Sequence, residues 1–102
     1  MDIRTAVLEG VRKCCTPKYV ILYGEKVTAE QHRLKSADFC IVLDHSNNKA
    51  KLLSQLYLNI ETDIPVQFIV YTTKEWERLT ANPYSYASRI RTKGTVLYGK
   101  TT

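Results

Sequence analysis

The stretch Tyr19–Asp44, YVILYGEKVTAEQHRLKSADFCIVLD, decides the fold class of this chain. It contains two apolar runs, KYVILY at 18–23 and DFCIVL at 38–43, which are rich in β-branched and aromatic residues. Runs of this kind predict buried strands. Gly24 is predicted to end the first strand, and residues 25–35, which are polar and weakly patterned, are predicted to form a short helix or a loop.

The segments on either side of this stretch predict helices. Apolar residues at helical spacing predict a helix over residues 3–14, with Asp2 as its N-cap. Residues 45–48 are predicted to form a turn. A helix about four helical turns long is predicted to follow it. The inner face of that helix is predicted from its spaced apolar residues, which are Ala50, Leu53, Leu56, Tyr57 and Ile60.

The last third of the chain predicts a strand, two helices and a closing strand. Thr72 and Glu75 match a capping box, the signal of a helix start, and Asn82-Pro83 interrupts that helix. The predicted elements are a strand over 66–71, a helix from Thr72, a helix over 84–92 that Gly94 ends, and a strand over 95–99. The side chains predicted to point inward from the two helices are Trp76, Leu79, Tyr84, Ala87 and Ile90.

This alternation predicts one α/β (α+β) domain over residues 1–102, with a small mixed sheet of about four strands flanked by helices. The chain is 44% apolar and 25% charged, values typical of a globular protein. No apolar run approaches the length of a membrane span, and no signal peptide is visible at the start. The expected compartment is the cytoplasm, without a membrane partner.

The net charge and the cysteine content argue against several classes of function. The net charge of +5 suits an anionic partner, but the basic residues are scattered and are not interleaved with aromatic ones, so nucleic acid is not the favoured partner. Cys14, Cys15 and Cys40 are odd in number and form no CxxC pair, which argues against a disulfide framework and a zinc site. Cys40 is predicted to be a core residue.

An aromatic group lies around the Asn82-Pro83 corner and consists of Trp76, Tyr84 and Tyr86. It has two interpretations, an interaction surface or part of the core. Packing in the core is favoured, because the domain has few other large side chains.

Three pieces of the chain resemble the minimal nucleotidyltransferases of the DNA polymerase β-like superfamily. YVILYGE at 19–25 is similar to the family strand that ends in Gly-Ser, and SADFCIVLD at 36–44 to the strand that opens with Asp-x-Asp. IPVQFIVYTTKEWERL at 64–79 is similar to a strand bearing one Asp and a Thr-capped helix, and IRTKGTVLYG at 90–99 to the family ending G-x-V-L-Y-G. The resemblance implies a nucleotidyltransferase fold.

The resemblance also implies a chemistry. In the family, three carboxylates hold Mg²⁺ ions that bridge a nucleoside triphosphate such as ATP, and the Gly-Ser turn lies against the phosphates. Gly24 matches the family glycine, and Glu25 occupies the serine position, where its negative charge would repel a triphosphate. Glu25 could compensate for a missing carboxylate if its turn points the side chain towards Asp38.

The carboxylate positions are degenerate in this chain. If Asp38 is the first aspartate of the Asp-x-Asp pair, Cys40 replaces the second; if it is the second, Ser36 replaces the first. Gln67 lies where the third carboxylate is expected, and it keeps an acceptor oxygen but no charge. One of three metal carboxylates therefore remains, which would hold Mg²⁺ weakly and only together with a nucleotide.

Two functions follow from the resemblance. The first is a nucleotidyltransferase-like protein without transferase activity, which acts as an interaction module for a helical protein, as in family pairs of antitoxin and toxin. The alternative is an active adenylyl- or nucleotidyltransferase with an altered metal site, which the retention of Gly24 and Asp38 favours. Self-association is also open.

Overall fold

The computed structural model describes residues 2–30, 34–45 and 48–99, and within these ranges it has four helices and four strands. The elements are α1 (Ile3–Cys14), β1 (Tyr19–Val27), β2 (Leu34–Leu43), α2 (Lys49–Asn59), β3 (Val66–Thr72), α3 (Thr73–Thr80), α4 (Tyr86–Lys93) and β4 (Thr95–Tyr98). The prediction for α1 is confirmed, including its cap, since the Asp2 side chain accepts a hydrogen bond from the Arg4 N–H. The predicted turn over His45–Asn48 lies partly outside the described residues.

The four strands form one mixed sheet in the order β3-β2-β1-β4. β1 pairs antiparallel with β2 and β4, and β2 pairs parallel with β3. The predicted small mixed sheet flanked by helices is therefore confirmed. Helix α2 is the crossover between β2 and β3, the connection that a parallel pair requires.

Helices cover both faces of the sheet. On the first face, called here the α1–α2 face, Val7 and Val11 of α1 and Leu56 of α2 join a core cluster that includes Phe39. On the second, called the α3–α4 face, a smaller cluster consists of Ile21, Cys40, Val42, Trp76, Ala87 and Ile90. Two layers of helix thus bury the strands from both sides, which explains why DFCIVL is apolar at every position after Asp38.

The prediction that Gly24 ends the first strand is wrong. β1 continues to Val27 and pairs with an extended β2, with Glu25 opposite Ala37 and Lys26 opposite Ser36. Pairing with β2 satisfies the backbone groups on one edge of this stretch, while its side chains are largely exposed. The polarity that suggested a helix or loop over 25–35 reflects this exposure; within that segment, residues 31–33 lie outside the described part.

The inner face of α2 also differs from the prediction. Leu52, Leu56 and Ile60, four residues apart, are buried, whereas Ala50 is exposed and Tyr57 is 49% exposed. The observed buried residues are spaced i, i+4, i+8 and lie on one side of the helix, as the predicted set also would. Packing against the sheet determines which of the two sides is buried. The sequence pattern was compatible with both phases.

Tyr57 instead covers the outer edge of the sheet. Its hydroxyl accepts a hydrogen bond from the Phe68 N–H at 3.0 Å, and its ring lies edge-on to that of Phe68 at 5.1 Å between centroids. Phe68 belongs to β3, an edge strand. Capping one of its free N–H groups reduces the capacity of this edge to pair with another strand.

The C-terminal helices follow the predicted signals with one exception. Thr72 and Glu75 form the capping box of α3, and Trp76 is buried. α4 begins at Tyr86 rather than at residue 84, and Tyr84 is 89% exposed instead of facing inward. The prediction that Tyr84 and Tyr86 belong to the core is therefore wrong, because the Asn82-Pro83 corner turns the chain outward before α4 begins.

None of the helices in the described part of the chain is long and apolar enough to cross a lipid bilayer.

Candidate functional site

Three of the predicted site residues lie in one row across the sheet. The register of β1 and β2 places Gly24 opposite Asp38, and the register of β2 and β3 places Asp38 beside Gln67. Neighbouring strands are about 4.8 Å apart, so the three backbones are adjacent although the residues are far apart in the sequence. The row lies close to the end of β2 from which the parallel strands β2 and β3 begin.

Strand alternation places the polar positions of β2 on one face. Cys40 belongs to the cluster on the α3–α4 face, and Ser36 and Asp38 precede it by four and two residues, so all three share that face. α3 and α4 cover Cys40, whereas Asp38 and Ser36 are half-buried and Gln67 is exposed. The candidate site is therefore an open part of the α3–α4 face beyond the edge of its core.

Gly24 lies directly against the Asp38 side chain. The register of β1 shifts between Leu22 and Gly24, which leaves Tyr23 as the extra residue of a bulge. A Cβ atom on Gly24 would lie 2.5 Å from Asp38 Oδ2 and 3.2 Å from Asp38 Cβ. The glycine leaves room for a carboxylate inside the strand pair rather than forming the predicted turn.

A double-mutant cycle between Gly24 and Asp38 tests this proximity. We expect Gly24→Ala to be less favourable in the wild type than in an Asp38→Ala background, because the second change removes the carboxylate that the new methyl group would meet. The expected coupling is about 1 kcal/mol. Urea denaturation of the four proteins measures it, and additivity of the two changes would show that the carboxylate does not occupy this space.

Glu25 points away from the row. Alternation places it on the α1–α2 face, where its Oε1 accepts a hydrogen bond from Arg4 Nη2 at 2.7 Å. The same hydrogen bond raises the pKa of the Arg4 guanidinium. Glu25 therefore does not supplement the carboxylate of Asp38, and the compensation considered from the sequence does not occur in this structure.

Cys40 is closed to any ligand. Its side chain is fully buried, and burial raises the pKa of its thiol to about 12, so that it stays protonated at neutral pH. The prediction of a core cysteine is confirmed. Asp38 can be aligned with either aspartate of the family Asp-x-Asp pair. If the pair corresponds to Ser36 and Asp38, both residues are accessible; if it corresponds to Asp38 and Cys40, the second residue is inside the core.

Sequence reasoning missed the contact between Tyr86 and Tyr23, the residue that precedes Gly24 in β1. The ring of Tyr23 lies edge-on to that of Tyr86, with 6.0 Å between centroids. Burial raises the pKa of the Tyr23 phenol well above its ordinary value, and Tyr86 and Asp38 raise it further. The aromatic group at the Asn82-Pro83 corner was visible in the sequence, but the bulge that turns Tyr23 onto the same face was not.

The residues of the row do not fit a two-metal centre. A two-metal site for phosphoryl transfer needs several carboxylates around both ions, whereas the row offers the carboxylate of Asp38 and the amide of Gln67, and Ser36, two residues before Asp38 on the same face, adds a hydroxyl. Over residues 2–30, 34–45 and 48–99, no three His, Cys, Asp or Glu side chains lie close enough together to share a metal ion. Four cavities of about 420 to 720 Å³ open on the described surface, and none of these four is lined by Gly24, Asp38 or Gln67.

Comparison with protein-family models, with curated protein sequences and with solved structures found no match for this chain. The resemblance to the nucleotidyltransferases therefore rests on the residues quoted from the sequence.

Proposed function

We propose that this chain is a nucleotidyltransferase-like domain of the DNA polymerase β-like superfamily that has no transferase activity and acts in the cytoplasm as an interaction module for a helical protein. The observation that carries the proposal is the charge of the row. Asp38 is its one carboxylate, since Gln67 is neutral, Cys40 is buried as a thiol and Glu25 is paired with Arg4 on the opposite face.

The low negative charge of the row explains why transferase activity is not expected. A triphosphate and the charge that develops on its phosphorus are stabilised in the family by metal ions, and those ions are held by negative ligands. With one carboxylate and two neutral side chains, the row holds too little negative charge to retain two divalent ions. Phosphoryl transfer at this position would lose its main source of stabilisation.

An exposed apolar surface supports the second half of the proposal. Leu58 is 80% exposed and Tyr57 is 49% exposed; both lie on α2, and Tyr57 contacts the edge strand β3. Exposed apolar side chains on a helix are suited to contact with the apolar face of a second helix. The occupant of this surface, a helical partner, comes from the resemblance.

Titration with ATP and GTP tests the proposal. We expect no metal-dependent binding at millimolar nucleotide, in Mg²⁺ or in Mn²⁺, by calorimetry or by amide NMR. Saturable binding that requires the metal, shifts the amide signals of Gly24 and Asp38, and disappears in Asp38→Asn would contradict it. That result would favour the alternative of an active transferase with an altered site.

A further inference from the structure

Two tyrosines protrude from the α3–α4 side of the molecule. Tyr84 is 89% exposed and Tyr86 is 54% exposed, which leaves much of both rings in contact with solvent. Tyrosine is a large, mostly apolar side chain, so two exposed rings at neighbouring positions, one of them held edge-on by Tyr23, offer a surface on which another molecule can pack.

The tyrosines continue into a basic stripe along α4. Tyr86, Arg89 and Lys93 are spaced i, i+3, i+7, which places them on one side of the helix over a length of about 10 Å. Ala87 and Ile90, which anchor α4 on the sheet, are buried, and since Ile90 lies one turn from Tyr86, Tyr86 is at the border between the buried side and the basic stripe. The surface formed by Tyr84, Tyr86, Arg89 and Lys93 is called here the Tyr–Arg surface.

The cations of this surface have no partner in the described part of the protein. The ion pairs found over residues 2–30, 34–45 and 48–99 join Arg4 to Glu25 and Lys49 to Glu75. α4 contains three basic residues and no acidic one. Arg89 and Lys93 are therefore free to bind an external anion, and the chain's net charge of +5 favours its approach.

Hydrogen bonds hold the start of α4 in place. The Ser85 hydroxyl caps the helix and donates to the Leu79 carbonyl oxygen at 2.5 Å, and the Ser88 hydroxyl donates to the Asn82 carbonyl oxygen at 2.7 Å. The Tyr84 N–H donates to Asn82 Oδ1 at 3.0 Å. The corner that carries Tyr84 is thus fixed before any ligand binds, which lowers the entropic cost of binding.

We propose that the Tyr–Arg surface binds single-stranded nucleic acid, with bases stacked on Tyr84 and Tyr86 and phosphates bound by Arg89 and Lys93. Aromatic side chains beside a row of cations match the alternation of base and phosphate along a single strand. A double helix keeps its bases stacked on each other and would leave the tyrosines unused. The scattered charges seen along the chain did not predict this surface, because helical spacing is what aligns Tyr86 with Arg89 and Lys93.

Other occupants fit the same residues less well. A small ligand binds in a concave pocket, and none of the four cavities described above is lined by Tyr84, Tyr86, Arg89 or Lys93. Tyrosine and arginine are also enriched in protein–protein interfaces, which makes an acidic protein the competing occupant; a single strand is favoured because it supplies flat bases for the tyrosines together with closely spaced phosphates for the cations. The proposal is independent of the transferase question, since it uses none of Gly24, Asp38 and Gln67.

Fluorescence anisotropy with a labelled oligouridylate of about 12 nucleotides tests the proposal, since site sizes of single-strand binding folds are about 4–16 nucleotides. We expect binding at low salt. The logarithm of the binding constant should fall linearly with the logarithm of the salt concentration. The double variant Arg89→Ala/Lys93→Ala should reduce the magnitude of that slope by about 0.7 for each phosphate that the variant no longer neutralises.

The tyrosine variants separate stacking from simple charge attraction. Tyr84→Ala/Tyr86→Ala should lower the affinity on the order of tenfold or more without changing the salt slope, and Tyr84→Phe/Tyr86→Phe should retain the affinity. The matched control for charge is Lys35→Ala/Lys51→Ala, which removes two exposed cations from other elements and should leave most of the binding intact. Circular dichroism confirms that each variant is folded.

Four results would overturn the proposal. The first is the absence of binding at low salt, and the second is an equal reduction of affinity in the Lys35→Ala/Lys51→Ala control. The third is binding that does not change in Tyr84→Ala/Tyr86→Ala and is equally strong for inorganic polyphosphate. The fourth is a preference for poly-glutamate over the oligonucleotide. The third would identify a general polyanion surface, and the last would identify an acidic protein as the partner.

Discussion

Replacing Cys40 by aspartate is expected to destabilise the protein by about 3–5 kcal/mol, the range in which an unpaired buried charge destabilises a fold. Cys40 is fully buried between the sheet and the α3 and α4 helices, among Ile21, Val42, Trp76, Ala87 and Ile90. These neighbours are apolar and offer a carboxylate no cation. Aspartate and cysteine have similar volumes, so the effect arises from charge and desolvation rather than from packing.

Urea denaturation measures this destabilisation, and two variants serve as controls. Cys40→Ser introduces a neutral polar group at the same position and should destabilise by about 1–3 kcal/mol. Ser36→Asp places the same carboxylate on the same face of β2, at a half-buried position two residues from Asp38, and should destabilise by about 1 kcal/mol or less through repulsion between the two carboxylates. Equal stability of Cys40→Asp and Ser36→Asp would show that position 40 admits solvent or a ligand.

The double variant Ser36→Asp/Gln67→Asp is expected to create a divalent-metal site. Both positions share the α3–α4 face with Asp38, one at two residues along β2 and the other beside it on β3. From strand spacing and rise, the backbones of the new aspartates would lie about 7 Å and about 5 Å from that of Asp38, and about 8 Å from each other. Oxygen-rich sites of this kind suit Mg²⁺ and Mn²⁺.

The new site would be recognised by its effect on the melting temperature, which should be lower than in the wild type without metal and should rise when metal is added. Without metal, the three carboxylates repel each other and lower the melting temperature; saturating Mn²⁺ should raise it, because ligand at about 100 times Kd stabilises by about 2.7 kcal/mol. Differential scanning fluorimetry and calorimetry measure both effects. Ser54→Asp/Gln55→Asp, an equal change of charge at exposed positions of α2, is the matched control.

The same variant also decides what the resemblance means. If the double variant binds Mn²⁺ and then Mg-ATP, the row has the geometry of the superfamily and the wild type has lost only its charges. If it binds no more Mn²⁺ than the Ser54→Asp/Gln55→Asp control, the row has no such geometry, and the resemblance at Ser36, Asp38 and Gln67 carries no function.

Local signals in the sequence were sufficient for most of the fold. Asp2 and the Thr72–Glu75 pair marked helix starts through hydrogen bonds made within one turn, and the apolar runs marked strands buried on both sides. Such signals act over a few residues and do not depend on the rest of the molecule. They also placed Asp38 and Gln67 on predicted strands, whereas the expectation that these strands are neighbours and form a site came from the family resemblance.

Tertiary structure decided the features that depend on pairing and on packing partners. Only the β1–β2 register shows that Gly24 lies inside a strand pair under Asp38, and only the two layers of helices show that Glu25 is on the opposite face from Asp38. Cys40 and Ser36 are equivalent by alternation along β2, and they differ because α3 and α4 cover one and not the other. Burial of this kind is a property of the assembled sheet and helices, so a pattern read along the chain is compatible with either outcome.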